Sequence, residues 1–65
     1  MPSSVIRSYQ YDPKQRRLEL QFVSGRRYRY EDVPEETFRG MRQAFSKGEY
    51  FNAHIRDRYR YTREN

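Results

Sequence analysis

The most regular pattern in the chain is the alternation of polar and apolar residues over Arg17–Phe22, the period of a half-buried β-strand. Residues 5–11 are rich in β-branched and aromatic types and predict a strand before it. Residues 26–31 predict a third strand after it. Turn residues separate the three strands at positions 12–15 and 23–25, so we expect a three-stranded antiparallel β-meander.

The length of the second turn sets the register of the second hairpin. A two-residue turn would place an arginine opposite Leu20 and a glutamate opposite Leu18, on the apolar side of the sheet. A three-residue turn, with Gly25 in a left-handed conformation, instead places Leu20 beside Tyr28 and Leu18 beside Tyr30. We therefore predict the three-residue turn.

The same register pairs opposite charges on the other face of the hairpin, with Glu19 opposite Arg29 and Arg17 opposite Glu31. It also makes the two tyrosines of the third strand mainly core residues, with their hydroxyls reaching the edge. The alternative is an exposed tyrosine platform on which a ligand would stack.

The first strand leaves its register open. Without a bulge, Arg7 shares a side with Tyr9 and Tyr11, whereas a bulge near residues 7–8 brings Ile6 onto the side of the two tyrosines.

Two helices are predicted after the strands. The first has Asp32 as its cap, Pro34 in its first turn and an end at residues 46–48. Its apolar face contains Thr37, Phe38, Met41, Ala44 and Phe45.

The second helix is predicted over residues 50–57, with Phe51 and Ile55 facing inward. A neighbouring polar stripe contains Asn52, Arg56 and Tyr59. Residues 1–4 and 62–65 are expected to fray. The fold class is therefore α+β: one domain over residues 1–65, a three-stranded antiparallel β-meander followed by two C-terminal helices packed on one face.

Composition narrows the class of protein. A chain of 65 residues is one small domain, and without cysteine it has neither disulfides nor thiolate metal sites. The longest apolar runs are far shorter than a membrane span, and residues 1–4 lack the apolar core of a signal peptide. We expect a soluble cytoplasmic protein with no membrane role.

The sequence contains no catalytic motif. His54 is the only histidine, so no metal cluster forms around it, and we expect it on the second helix, partly solvated. The carboxylates pair with arginines or start a helix, and the three glycines form no phosphate-binding loop. We expect no enzyme activity, no metal and no cofactor.

Charge favours a polyanionic partner, because the net charge is +5 and twelve of the fourteen basic residues are arginine. Arginine binds phosphate with two hydrogen bonds, and tyrosine stacks on bases. The candidate nucleic-acid surface lies at the helix junction and tail: Lys47, Tyr50, Asn52, Arg56, Arg58, Tyr59 and Arg60. Tyr59 alternatively packs against the sheet. Arg27 and Arg29 on the outer sheet face are secondary candidates.

The alternative function is a protein–protein interaction module with no nucleic-acid role, since interfaces are also rich in tyrosine and arginine. A steep salt dependence of binding would favour RNA or another polyanion over a protein partner. The sequence leaves the oligomeric state open.

The chain resembles the KTSC domain, the C-terminal extension of some lysyl-tRNA synthetases, over about residues 4–60. The similarity includes Tyr28 and Tyr30 in the third strand. Its most specific part is the spaced set Ser46, Gly48, Tyr50, Phe51 and Asn52, followed by Ile55, Arg56 and Tyr59. The resemblance is to the stand-alone bacterial form. It implies an RNA-binding role by analogy with the synthetases, and it does not extend to the arginine-rich tail.

Overall fold

The structure is a computed structural model that describes residues 6–64. The predictions for residues 1–5 and 65 lie outside this range. The elements, in chain order, are β1 (Ile6–Asp12), β2 (Arg17–Phe22), β3 (Arg27–Tyr30), α1 (Glu35–Gln43), α2 (Lys47–His54) and β4 (Tyr61–Arg63). The strands form one antiparallel sheet in the order β1-β2-β3-β4. The α+β class with two helices is confirmed, but the prediction of three strands is wrong.

The second hairpin has the predicted register, with Leu18 opposite Tyr30 and Leu20 opposite Tyr28. The N–H of Gly25 donates to the carbonyl of Phe22 over 2.9 Å, and Gly25 has a φ of 95°. A glycine reaches this left-handed conformation without steric penalty, so the three-residue turn closes as predicted.

The predicted register of charges is present on the outer face of the sheet, but within residues 6–64 only Arg17 and Glu31 form the predicted ion pair, because Arg29 pairs with Glu31 and Glu64. Glu19 lies opposite Arg29 in the ladder, and the Nε of Arg17 lies 3.3 Å from Glu31 Oε1. Pairs of this kind are half-exposed and contribute little stability individually, but they favour this register over its alternatives.

The register of β1 shifts between Ile6 and Ser8, which is the bulge that the sequence left open. As a result, Ile6, Tyr9 and Tyr11 all pack against the core. The hydroxyl of Tyr11 donates to the carbonyl of Val33 over 2.6 Å, fixing β1 to the segment that precedes α1.

The helices cover one face of the sheet, and the core lies between the two layers. Its buried side chains are Leu18, Leu20, Tyr30, Val33, Met41, Phe51 and Ile55. Each side chain of this size contributes roughly 1.5–3 kcal/mol when fully buried, so these few residues provide most of the stability of the fold.

The first helix begins later and ends earlier than predicted. Asp32 is not its cap: this residue has a φ of 56°, and the helix begins after Pro34 with no side-chain cap. Proline disfavours a helical conformation in the residue before it, so Val33 lies outside the helix, where it is buried in the core. The chain leaves the helix at Ala44, so Phe45 lies fully exposed instead of on the apolar face.

The second helix begins three residues earlier than predicted. Ser46 is its N-cap, accepting a hydrogen bond at its hydroxyl from the N–H of Glu49 over 3.2 Å. Ser46 and Glu49 have the spacing of a capping box, a start signal that the sequence analysis did not use. Gly48 is therefore a buried residue of the first helical turn, and Arg56 lies beyond the helix end.

The tail forms a strand, so the expectation that residues 62–64 fray is wrong. Strand β4 pairs antiparallel with β3, and the N–H of Glu64 donates to the carbonyl of Arg27 over 2.9 Å. The Nη1 of Arg29 also lies 3.1 Å from Glu64 Oε2. These contacts hold the last described residues against the sheet.

Candidate nucleic-acid interface

An open cleft of about 450 Å³ lies between the β2–β3 hairpin, β4 and the end of α2. We call it the tyrosine cleft. Its aromatic lining consists of Phe22, Tyr28, Tyr30, Phe51 and Tyr61. Its polar lining consists of Ser24, Arg26, Asn52, Arg56 and Asp57. The exposed side chain of Val23 completes it at the hairpin tip.

Three tyrosine rings form the floor and one wall of the cleft. The ring centroid of Tyr61 lies 5.5 Å from that of Tyr28 and 5.3 Å from that of Tyr30. The rings of Tyr28 and Tyr30 stack at 6.4 Å. Tyr30 is only 3% exposed and belongs to the core, whereas Tyr61 is 52% exposed. The cleft therefore combines a fixed aromatic base with one solvent-facing ring.

Two arginines line the cleft, and a third lies next to it on the same face of the sheet. Arg26 lies at the hairpin, Arg56 follows α2, and Arg63 lies on β4. Arg63 is the ladder partner of Tyr28, so both side chains lie on the cleft side of the sheet. Within residues 6–64, none of the three forms an ion pair with a carboxylate. Their charges are available to an anionic ligand.

Asn52 and Arg56 contact each other at the α2 side of the cleft. The Nη1 of Arg56 donates to Asn52 Oδ1 over 3.4 Å, a weak bond between two exposed side chains. The sequence analysis placed both residues on one helical stripe. In the structure Arg56 lies in the turn that follows the end of α2. The N–H of Arg56 donates to the carbonyl of Phe51 over 2.8 Å, and this turn keeps Arg56 close to Asn52.

Burial raises the pKa of Tyr30 to about 12, with smaller contributions in the same direction from Tyr61 and Tyr28. The charge of Arg56 acts in the opposite direction. Because the folded pKa exceeds the usual value of 10, the neutral hydroxyl is favoured in the folded protein. This contribution to stability is complete below pH 10 and is lost as the pH rises to about 12.

We therefore expect the unfolding free energy to fall between pH 10 and 12, and to fall less in the variant Tyr30→Phe. Urea unfolding at pH 8, 10 and 11, followed by circular dichroism, measures how the unfolding free energy of each protein changes with pH. An equal fall of the unfolding free energy with pH in the parent and in Tyr30→Phe would contradict a raised pKa of Tyr30.

The other candidates from the sequence lie outside the cleft. Tyr50 packs closely over Gly40 of α1, its ring centroid is 4.4 Å from that of His54, and burial raises its pKa. The hydroxyl of Tyr59 lies 3.3 Å from Thr37 Oγ1, which is the packed alternative for this ring. Lys47 is half-buried at the start of α2, and Arg58 and Arg60 are exposed before β4.

The secondary candidates lie on the opposite, outer face of the sheet. Arg29 Nε is 3.3 Å from Glu31 Oε2, without hydrogen-bond alignment, and Arg29 also pairs with Glu64. Arg27 is exposed on the same face, beside Glu19 and Glu64 in a shallow polar depression. The carboxylates on this face make it a poorer anion surface than the tyrosine cleft.

Sequence reasoning missed Arg26 and Tyr61, which line the cleft, and Arg63, which lies next to it on the same face of the sheet. The available signal was the alternation of arginine and tyrosine over residues 58–61, continued by Thr62 and Arg63. This is the period of a strand, and it was interpreted as a fraying tail.

Metal-ligand clusters and helices of membrane-spanning length are both absent from residues 6–64. Residues 6–64 contain no group of three or more histidine, cysteine, aspartate or glutamate side chains that could hold a metal ion. None of the helices in this range is long and apolar enough to cross a bilayer.

The fold and the cleft define a small α+β module, with two helices on one face of an antiparallel sheet and an aromatic cleft at one side. The chain belongs to the KTSC domain family, whose model matches residues 2–59. A crystal structure of a KTSC domain protein from Yersinia pestis has a TM-score of 0.89 and 36% sequence identity, covering 100% of this chain and 92% of that one.

Two kinds of relative are similar in sequence. An uncharacterized protein of Stutzerimonas stutzeri is 45% identical over 64 residues, covering 97% of this chain and 90% of the relative. A lysine–tRNA ligase of Nostoc is 38% identical over 58 residues, covering 89% of this chain but only 10% of the ligase. The family thus includes proteins of this size as well as segments of much longer ones.

Proposed function

We propose that this protein is a non-catalytic module that binds single-stranded RNA in the tyrosine cleft. The observation that carries the proposal is the position of a half-exposed tyrosine, Tyr61, over two further tyrosines and among three arginines that form no ion pair within residues 6–64. This combination of ring faces and positive charge is what unpaired nucleotides need.

The size and shape of the cleft favour unpaired bases over a duplex. Its volume of about 450 Å³ is in the range of sites for small organic groups, and its lining combines aromatic rings with two arginines. A base stacked on an aromatic ring gains roughly 1–3 kcal/mol, but a base in a duplex has its faces covered by its neighbours. We therefore expect single strands and loops to bind.

The relatives support RNA as the polyanion. A segment similar to almost this whole chain is found in an enzyme named for the ligation of lysine to tRNA. A domain in such an enzyme works close to an RNA substrate, and this chain is 38% identical to that segment over 58 residues. The absence of cysteine fits a reducing cytoplasm, where we place the protein.

The variant Arg26→Ala with Arg56→Ala is expected to weaken RNA binding and to reduce its salt dependence. Two lost phosphate contacts should lower the slope of log K against log salt by about 1.4, since each contact on a single strand contributes about 0.7. Fluorescence anisotropy with a labelled single-stranded RNA, at several salt concentrations, measures the slope. The matched control is Lys14→Ala with Arg39→Ala, which removes the same charge outside the cleft.

Equal slopes for the cleft variant and its control would contradict binding in the cleft, because net charge alone would then explain the attraction. Binding of a protein partner with little salt dependence, together with no RNA binding, would instead support the protein–protein interaction module. Phe45, fully exposed between the helices, would then be the first residue to test.

A further inference from the structure

Two polar side chains of the tyrosine cleft serve neither stacking nor phosphate binding. Asn52 and Asp57 both line its α2 side. Asp57 is the only carboxylate among the residues that line this cleft, and within residues 6–64 its side chain forms no hydrogen bond or ion pair. A negative group here repels phosphate, so its position calls for a ligand that donates hydrogen bonds.

The hydrogen-bonding capacity of these two side chains is complementary. Asn52 Oδ1 accepts from Arg56, which leaves the amide nitrogen of Asn52 as the donor toward a ligand. The Asp57 carboxylate offers two acceptor oxygens and no donor. Both side chains line the same cleft as the tyrosine rings, so a base stacked there has an amide donor group and a pair of acceptor oxygens in its surroundings.

We propose, building on the RNA-binding function above, that the tyrosine cleft selects an unpaired guanine. The edge of guanine carries two adjacent donors, N1–H and N2–H, which match the two oxygens of Asp57. Its O6 is an acceptor, which matches the amide nitrogen of Asn52. Arg26 and Arg63 remain for the flanking phosphates.

No other common base has this arrangement. Adenine and cytosine place a ring nitrogen acceptor where guanine has N1–H, and that acceptor would face the carboxylate. Uracil has a single donor between two acceptors. A mismatch of acceptor against acceptor loses the hydrogen bond and adds electrostatic repulsion, and at these exposed side chains it discriminates between ligands to a moderate degree. Asp57 thus becomes the specificity-determining residue and Arg56 a positioning residue that orients Asn52.

The test compares five-nucleotide RNAs of uridine with one central base: guanosine, adenosine, inosine or uridine. Guanosine is expected to bind at least about fivefold more tightly than adenosine or uridine, the lower limit for one bidentate base contact. Inosine, which lacks only the N2 amino group, is expected to lose most of that advantage. Fluorescence anisotropy at low salt gives the four affinities.

The variant Asp57→Asn is expected to lose the preference for guanosine while binding the all-uridine RNA at least as tightly as before. Asparagine has the same shape and tolerates the left-handed backbone of Asp57, whose φ is 66°, so the fold is retained. Lys14→Ala serves as the control and keeps the preference.

The outcomes separate the two proposals. Binding of all four RNAs with equal affinity, or a guanosine preference that survives Asp57→Asn, overturns the guanine site and leaves the RNA-binding function standing. No binding of any of the four at low salt overturns both.

Discussion

Replacing Tyr30 by alanine is expected to lower the unfolding free energy by about 3–5 kcal/mol, the loss typical of a large buried aromatic residue. Tyr30 is 3% exposed, and its ring packs edge-on against Phe51 at a centroid distance of 5.5 Å. A domain of this size seldom has more than about 3–5 kcal/mol in total, so much of the variant should be unfolded at 25 °C. Urea or thermal unfolding followed by circular dichroism measures the loss.

Tyr28→Ala is the matched control for this prediction. Tyr28 lies two residues away on the same face of β3, but it is half-buried and lines the cleft. Its loss should therefore be smaller than that of Tyr30. A Tyr30→Ala protein that melts within a few degrees of the parent, or a Tyr28→Ala protein that is less stable than it, would contradict the core described here.

Replacing Tyr61 by alanine is expected to weaken RNA binding by about five- to 150-fold, which corresponds to a stacking contribution of roughly 1–3 kcal/mol. Among the three clustered tyrosines, this is the ring with 52% of its surface exposed, so a base reaches its face without rearrangement of the core. Fluorescence anisotropy with a single-stranded RNA measures the affinity, and circular dichroism confirms that the variant is folded.

Tyr61→Phe distinguishes stacking from hydrogen bonding at this position. Phenylalanine keeps the ring face, so affinity close to that of the parent is expected. A large loss in Tyr61→Phe would show that the hydroxyl makes the contact. Unchanged binding by the folded Tyr61→Ala protein would show that Tyr61 does not stack on a base and would contradict a role of β4 in RNA binding.

The sheet register was predictable because two independent patterns agreed. Only the three-residue turn ending at Gly25 places Leu18 and Leu20 beside tyrosines and also pairs Glu19 with Arg29. A shift by one residue would have moved every side chain of one strand to the wrong face. The bulge in β1 was left open because Arg7 tolerates either side of an edge strand.

The helix boundaries and β4 were harder to predict, for physical reasons. The apolar spacing of α1 continues through Phe45, so it predicts a longer helix than is observed. The helix ends before Ala44 because Ser46, two residues later, caps the start of α2. Strand β4 has only three residues, all exposed. Its pairing comes from contacts with distant residues, such as Arg29 with Glu64, which no local pattern reveals.

The candidate site was predictable in part. Helical spacing placed Asn52 and Arg56 together, and both line the tyrosine cleft. The sheet register predicts the tyrosines of β3 as mainly core residues with their hydroxyls at the edge, and Tyr28 both packs against the core and lines the cleft. Arg26 and Tyr61 are far apart in the chain, and only the fold brings both into the lining of one cleft.

The strand order has a practical consequence for experiments that attach the protein to a surface. Strands β1 and β4 form opposite edges of the sheet, three inter-strand spacings or about 14 Å apart. A biotin or fusion partner joined ahead of β1 leaves the tyrosine cleft open to solution. One joined directly after β4 lies close to Arg63, on the sheet face of the cleft, where it would obstruct the proposed RNA site.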